Sequence, residues 1–328
     1  MDYKSLVNQI GLLCRSKVSE LFDDSLSEGK LGVLIFLFHY SRYANNREIY
    51  DDAYDLLQEI WCNLETDTHT LNFKYGIPGI AFGIDYLYRS NFLPQFDPSL
   101  LEELDSYILK RKAHQLDIIN QDEFSFGQQI YFLNRFTYYL QLADFRYQRF
   151  LALALIQFVD DCQELVFSKT FISGIMFSLP FVSAFVYFII EVYNVNISKE
   201  KASNIMHILF KRIVDQLPVS QIGRERNILY KLAEILRPFI HLIPDYYPRN
   251  KFLFDKPVNI DVRNLSKHSH GVVIPNSFCP PFIFYSSNVD KAVTHVNLDN
   301  MKLGLDGGIA GIGLGLIGLL EIEHKNNG

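Results

Sequence analysis

Two kinds of apolar pattern alternate along the first 217 residues of the chain. In residues 3–22, apolar residues recur every three or four positions between polar ones, which predicts an amphipathic helix. In residues 29–43, nearly every position is apolar, which predicts a helix covered on most sides. Few sheets would produce this register, so the pattern favours helical hairpins. The further amphipathic segments are 47–64, 98–116, 145–166 and 199–217, and the further apolar segments are 76–89, 127–142 and 174–192.

A glycine opens each apolar segment, and these glycines define a repeat. The intervals between Gly29, Gly76, Gly127, Gly174 and Gly223 are 47, 51, 47 and 49 residues, and each interval holds one helical hairpin. Glycine costs a helix interior about 1 kcal/mol relative to alanine, so glycines at these positions indicate a close approach of the backbone. Absent side chains and unsatisfied N–H groups predict a binding rim at the amino ends of the apolar helices. Its predicted residues are Gly29, Gly32, Gly76, Gly79, Gly127, Gly174, Asp306, Gly308 and Gly311.

The predicted fold is a single all-α domain spanning residues 1–328, a double-layered α/α toroid. About six apolar helices form its inner layer, and five or six amphipathic helices form its outer layer. The helical repeats cover about 1–238 and 301–323. Residues of about 239–300 contain six prolines and many aromatic residues without helical periodicity, which predicts an irregular insertion.

Composition and charge narrow the function classes. The net charge of −6 and the lack of a long Lys/Arg block argue against nucleic-acid binding. The first residues lack the pattern of a secretion signal, and the four cysteines are widely spaced, so we expect reduced thiols in a cytoplasmic protein. Residues 171–190 carry no charge, but Pro180, three serines and the absence of flanking belts favour an inner helix over a membrane span. Peripheral association with a membrane stays open.

Three motifs carry a family resemblance. The segments YGIPGIAFGIDYL, FGQQIYFLNR and GLDGGIAGIGLGLIGLL, with their spacing, resemble the lanthionine synthetase C-like (LanC-like) family over roughly residues 1–193 and 301–323. The resemblance implies an α/α toroid that binds a peptide substrate or a partner modification enzyme in lanthipeptide biosynthesis. In the enzymatic members, it implies a zinc ion that activates peptide cysteine thiols. These thiols add to dehydrated serine or threonine residues and close thioether rings.

The zinc motifs of the enzymatic members are missing from this chain. Those members carry a cysteine in a Trp-Cys-Tyr-Gly run and a Cys-His pair before a glycine. Here the residues before the glycines are Glu28, Tyr75, Phe126, Ser173 and Gly307. Trp61 and Cys62 lie in an amphipathic helix of the second repeat. By the resemblance, Ser173 replaces an acid–base histidine and Glu123 stands near a family aspartate, so these two are the candidate catalytic residues. The favoured hypothesis is therefore a degenerate member without zinc that binds a peptide or a partner enzyme.

Two alternatives stay open. His268, His270 and Cys279 in the insertion are ligands of the right type for zinc, and would make the protein an active peptide cyclase with relocated ligands. Alternatively, these three residues lie in an ordinary loop and bind no metal. Paired carboxylates among Asp122, Glu123 and Asp306 would instead fit a carbohydrate-active enzyme on an α/α toroid, although Asp306 also suits a helix cap. Arg135, beside Asn134 in an apolar run, predicts either a structural ion pair or a ligand contact.

Overall fold

The computed structural model describes residues 2–64, 70–111, 126–142, 144–168, 179–216, 302–305 and 308–327. Within these ranges the chain forms α-helices and two 3-10 turns and has no strands, so the predicted all-α class is confirmed. The helices are α1 (Tyr3–Lys17), α2 (Lys30–Ala44), α3 (Arg47–Cys62), α4 (Ile77–Arg89), α5 (Leu101–Arg111), α6 (Gly127–Leu142), α7 (Phe145–Phe167), α8 (Leu179–Asn194), α9 (Lys199–Gln216) and α10 (Ile309–Asn327).

The helices belong to two compact units. Unit 1 lies within Met1–Arg111 and Val262–Gly328 and holds α1 to α5 with α10. Unit 2 lies within Lys112–Asp261 and holds α6 to α9. The single-domain assignment stays a prediction, and the insertion of about 239–300 lies outside the described residues.

Unit 1 consists of buried helices covered by amphipathic ones. Every residue of α2 from Leu31 to Ser41 is buried, as is every residue of α4 from Ile77 to Leu87. Helix α2 packs against α1, α3, α4 and α10, while α5 packs against α4. The outer helix α3 buries only Ile49, Ala53, Leu57 and Ile60, which form one apolar stripe. The predicted alternation of inner and outer helices is thus present in unit 1.

Unit 2 repeats the same arrangement. Its buried helix α6 packs against α7 and α8, and α9 packs against α7 and α8. Residues 127–133 of α6 are all buried, and the ring of Phe126, just before the helix, packs against Phe185 and Phe188 of α8. Alternating buried and amphipathic helices are the parts from which an α/α toroid is built, in agreement with the predicted fold class.

Local signals explain where the helices begin and end. Asn45 adopts a left-handed conformation (φ 49°) after α2, and the Asn46 side chain then caps α3 by accepting the Glu48 N–H at 3.0 Å. The first helix was predicted to reach residue 22, but α1 ends at Lys17 and a 3-10 turn follows. Among the described residues, no helix combines the length and the apolar character needed to cross a bilayer.

Candidate functional site

Three loops that precede inner helices are joined in unit 1. These amino-end loops, residues 21–29, 70–76 and 302–305, lead into α2, α4 and α10. The Ser27 N–H donates to the Lys74 carbonyl at 3.1 Å, and the Leu305 N–H donates to the Ser27 carbonyl at 2.8 Å. The first, second and last glycine motifs of the sequence, far apart along the chain, are therefore connected through loop backbone.

Each amino-end loop supplies acceptors to the helix that it precedes. The Lys30 N–H donates to the Asp23 carbonyl at 2.7 Å, and the Ile77 N–H donates to the Thr70 carbonyl at 3.1 Å. The Ile309 N–H donates in the same way to the Lys302 carbonyl at 2.9 Å. In all three cases the acceptor lies seven residues before the donor. The loops thus satisfy N–H groups that a helix start would otherwise leave unpaired.

The predicted rim glycines of α2 and α4 are buried beneath these loops. A Cβ atom on any of the four would overlap a backbone carbonyl oxygen six residues earlier, so only glycine permits the loop to pack this closely. The space over them is taken by the chain itself. Their role as a binding rim stays a prediction. The overlapping pairs are Gly29 with Asp23, Gly32 with Leu26, Gly76 with Thr70, and Gly79 with Phe73.

The other predicted rim residues lie at α10, at α6 or outside the described residues. Gly308 precedes α10 and Gly311 lies buried in its first turn, where its N–H donates to the Gly304 carbonyl at 3.4 Å. Gly127 opens α6 in unit 2. Gly174 and Asp306 lie outside the described residues.

The amino-end loops present charged and aromatic side chains to solvent. Lys302 Nζ lies 2.9 Å from Glu28 Oε2, and both side chains are at least one-third exposed. The Phe22 side chain is fully exposed, and Tyr75 is 46% exposed. The loops therefore present the Glu28–Lys302 ion pair and two aromatic rings to solvent.

The described residues do not fit a zinc ion. No group of three or more His, Cys, Asp or Glu side chains among them is placed to hold a metal. Cys14 and Cys162 are buried and burial raises the pKa of both thiols, whereas Cys62 is exposed at the end of α3. The candidate ligands His268, His270 and Cys279 and the candidate catalytic residues Glu123 and Ser173, with Asp122, lie outside the described residues.

A buried polar cluster at the other end of α2 and α4 was missed by sequence reasoning. His39 Nε2 lies 2.7 Å from the Tyr86 hydroxyl, and burial lowers the pKa of His39 to about 3. Arg89 Nε donates to Asp85 at 2.7 Å in a largely buried ion pair. The only signal was the presence of one histidine and one aspartate inside otherwise apolar segments. The His39 imidazole is therefore neutral and enclosed at neutral pH.

Unit 2 contains a fully buried arginine. The guanidinium carbon of Arg135 lies 5.1 Å from the ring centroid of Tyr139 and 6.0 Å from that of Tyr147. These aromatic faces provide attraction to the cation, and the predicted ion pair or ligand contact of Arg135 stays a prediction. Two glutamines, Gln128 and Gln129, are buried in the first turn of the same helix.

One family model matches part of the chain. Residues 20–139 match the family model described as Lanthionine synthetase C-like protein. The LanC-like resemblance is confirmed over this range. No curated protein and no solved structure matches the chain. The LanC-like range includes Gly29, Gly76 and Gly127, so it covers the first three opening glycines of the repeat.

Proposed function

We propose that this protein is a LanC-like member of a peptide-modification pathway that binds a peptide or a partner modification enzyme and closes no rings with zinc. The observation that carries the proposal is the composition of the amino-end loops. In these loops Glu28 and Tyr75 directly precede glycines, and the Cys-His pair that the resemblance implies for the enzymatic members precedes no opening glycine of the sequence. Loops without zinc ligands keep a surface for recognition but lack the means to activate a thiol.

The side chains on these loops suit a peptide. Phe22 and Tyr75 are exposed aromatic rings, which supply contact area for apolar side chains at low entropic cost. Lys302 and Glu28 add one charge of each sign on the same set of loops. The LanC-like match supports a peptide as the partner class, because the family acts on peptides.

A binding measurement tests the recognition part of the proposal. The probe is a fluorescein-labelled peptide with one cysteine and one dehydroalanine, added to the purified full chain and followed by fluorescence anisotropy. We expect saturable binding that weakens about fivefold or more in Tyr75→Ala, as truncation of an aromatic contact does. Tyr54→Ala is the matched control, because Tyr54 is a 36% exposed tyrosine on the outer helix α3. An equal loss in both variants, or no binding by the wild type, contradicts the proposal.

The same samples test the absence of zinc-dependent ring closure. Ring closure consumes the peptide thiol, so the peptide then resists alkylation by N-ethylmaleimide, which is visible by mass spectrometry. We expect full alkylation after incubation with the protein, and no stoichiometric zinc by elemental analysis. Protection of the thiol together with zinc that is lost in His270→Ala or Cys279→Ala would establish the relocated-ligand cyclase instead. Cys62→Ala is the control for a thiol outside the insertion.

A further inference from the structure

Gln129 places a buried amide at the amino end of α6. Its side chain is 4% exposed, and its Oε1 atom accepts no hydrogen bond from any residue that the structure describes. Side chains of an α-helix tilt toward the amino end. Because Gln129 is the third residue of α6, its Cα–Cβ bond points toward the amino end that Gly127 opens.

The unpaired oxygen needs an explanation beyond packing. Residues 130–133 of the same helix, Ile-Tyr-Phe-Leu, are buried and mainly apolar. A methionine has nearly the same length and would fill this space without an unpaired polar atom. Buried carbonyl oxygens in folded proteins nearly always accept a hydrogen bond. The amide therefore indicates a donor that arrives with a bound molecule.

The position of Gln129 restricts the chemistry of that donor. The amino end of a helix carries a partial positive charge, which disfavours an ammonium or guanidinium group there. A neutral N–H or O–H donor satisfies an amide oxygen without this repulsion. The backbone amide of a peptide is such a donor, and it fits the ligand class of the proposed function.

We propose that Gln129 Oε1 accepts a hydrogen bond from a backbone N–H of a bound peptide, so that the amino end of α6 is part of the peptide site. The proposal rests on the proposed function and adds a residue to it. It also sets a sequence preference. One peptide position must carry an N–H, and proline or an N-methylated residue is excluded there because neither has this hydrogen.

The test combines a protein variant with a modified probe. Gln129→Met removes the acceptor and keeps the length, and Gln141→Met is the control, because Gln141 lies exposed near the other end of the same helix. The probe is the fluorescein-labelled peptide containing cysteine and dehydroalanine, together with a series methylated at one backbone nitrogen at a time. We expect Gln129→Met to weaken binding about five- to tenfold, the usual value of one such hydrogen bond. Its melting temperature should equal or exceed that of the wild type.

The energetic coupling between Gln129→Met and N-methylation of the peptide decides whether the proposal holds. For one peptide position, N-methylation should weaken binding by the wild type about as much as Gln129→Met does, and should cause no further loss in the variant. Unchanged affinity of Gln129→Met, or additive losses at every position, overturns the proposal and assigns the oxygen to an internal water. If Gln129→Met does not fold, the titrations of the wild-type protein alone test the proposal. Wild-type binding that is insensitive to every N-methyl group also overturns the proposal. Absence of any binding by the wild type overturns the proposed function along with this inference.

Discussion

Gly79 and Gly83 are one turn apart on α4 and meet different neighbours. A Cβ atom on Gly79 would overlap the Phe73 carbonyl oxygen and lie 3.1 Å from the carbonyl carbon, whereas one on Gly83 would lie 2.6 Å from Leu31 Cδ2. Loop backbone cannot move without breaking the hydrogen bonds that hold it to the helix. The tip of a leucine can rotate away. Adding the same methyl group at Gly79 and at Gly83 should therefore change the free energy of unfolding by different amounts.

We expect Gly79→Ala to lower the free energy of unfolding by about 2–3 kcal/mol, because it forces the loop away from the helix. Gly83→Ala should lower it by less than about 1 kcal/mol, since the gain in helix propensity of about 1 kcal/mol offsets the displacement of Leu31. Urea unfolding followed by circular dichroism measures both. Equal losses in the two variants would contradict the assignment of these glycines to different kinds of contact.

His39 predicts a dependence of stability on pH. Burial, with a smaller contribution from Arg42, lowers the pKa of His39 to about 3, against the ordinary 6.5. Below pH 6.5 the histidine of the unfolded chain binds a proton that the folded protein excludes. Stability from this residue is therefore complete above pH 6.5 and decreases as the pH falls toward 3, by up to about 1.4 kcal/mol per pH unit.

The comparison that isolates this effect uses His39→Gln, which cannot titrate. Between pH 7 and pH 5, we expect the wild type to lose up to about 2 kcal/mol more unfolding free energy than the variant. Urea unfolding at both pH values gives this difference directly. Parallel changes in the two proteins would mean that His39 is accessible to protons in the folded state.

At the scale of helices, much of the structure was predictable because its causes are local. The 3.6-residue period of apolar positions located α3, α7 and α9 to within about two residues of their observed ends. The opening glycines located the starts of α2, α4 and α6 equally well. A glycine near the start of a buried helix is a local signal, so it can be recognised in the sequence without knowledge of the tertiary contacts.

The contacts of those helices were not predictable from the same patterns. His39 and Tyr86 are 47 residues apart, and nothing in their sequence surroundings pairs them. The absent side chains of the rim glycines were interpreted as open space, yet at Gly76 and Gly79 this space holds loop backbone. The His39–Tyr86 contact and the position of the loop over these glycines both depend on tertiary packing, which the local sequence pattern does not specify. The amide of Gln129 was likewise visible in the sequence, but only the structure shows that it is buried.

The packing of α10 on α2 offers a test of one such contact. A Cβ atom on Gly313 would overlap the Phe36 ring and lie 2.8 Å from Cζ, so the glycine lets the two helices approach. We expect Gly313→Val to lower the free energy of unfolding by about 2 kcal/mol. Combining it with Phe36→Leu should recover at least about 0.5 kcal/mol relative to the sum of the single changes. Additive losses in urea unfolding would show that Gly313 and Phe36 do not limit the helix spacing.

At the scale of the whole molecule, the chain is acidic, and its net charge of −6 acts on any approaching peptide. Glu28 and Lys302, the ion pair on the amino-end loops, contribute opposite charges that largely cancel at a distance. The long-range field at such a surface therefore comes from the molecule as a whole. A field of this kind attracts basic peptides, and added salt screens it over about 10 Å at 0.1 M.

We therefore expect the charge of the peptide to set the direction of the salt dependence. Raising sodium chloride from 50 to 300 mM should weaken binding of a peptide with three added lysines about two- to fivefold, and should strengthen binding of its counterpart with three added glutamates. Fluorescence anisotropy titrations at the two salt concentrations measure both. Glu28→Gln combined with Lys302→Gln is the control, because the double change keeps the net charge and should leave both trends in place. The same trend for both peptides would mean that binding depends on local contacts alone, and that the acidic surface has no part in recognition.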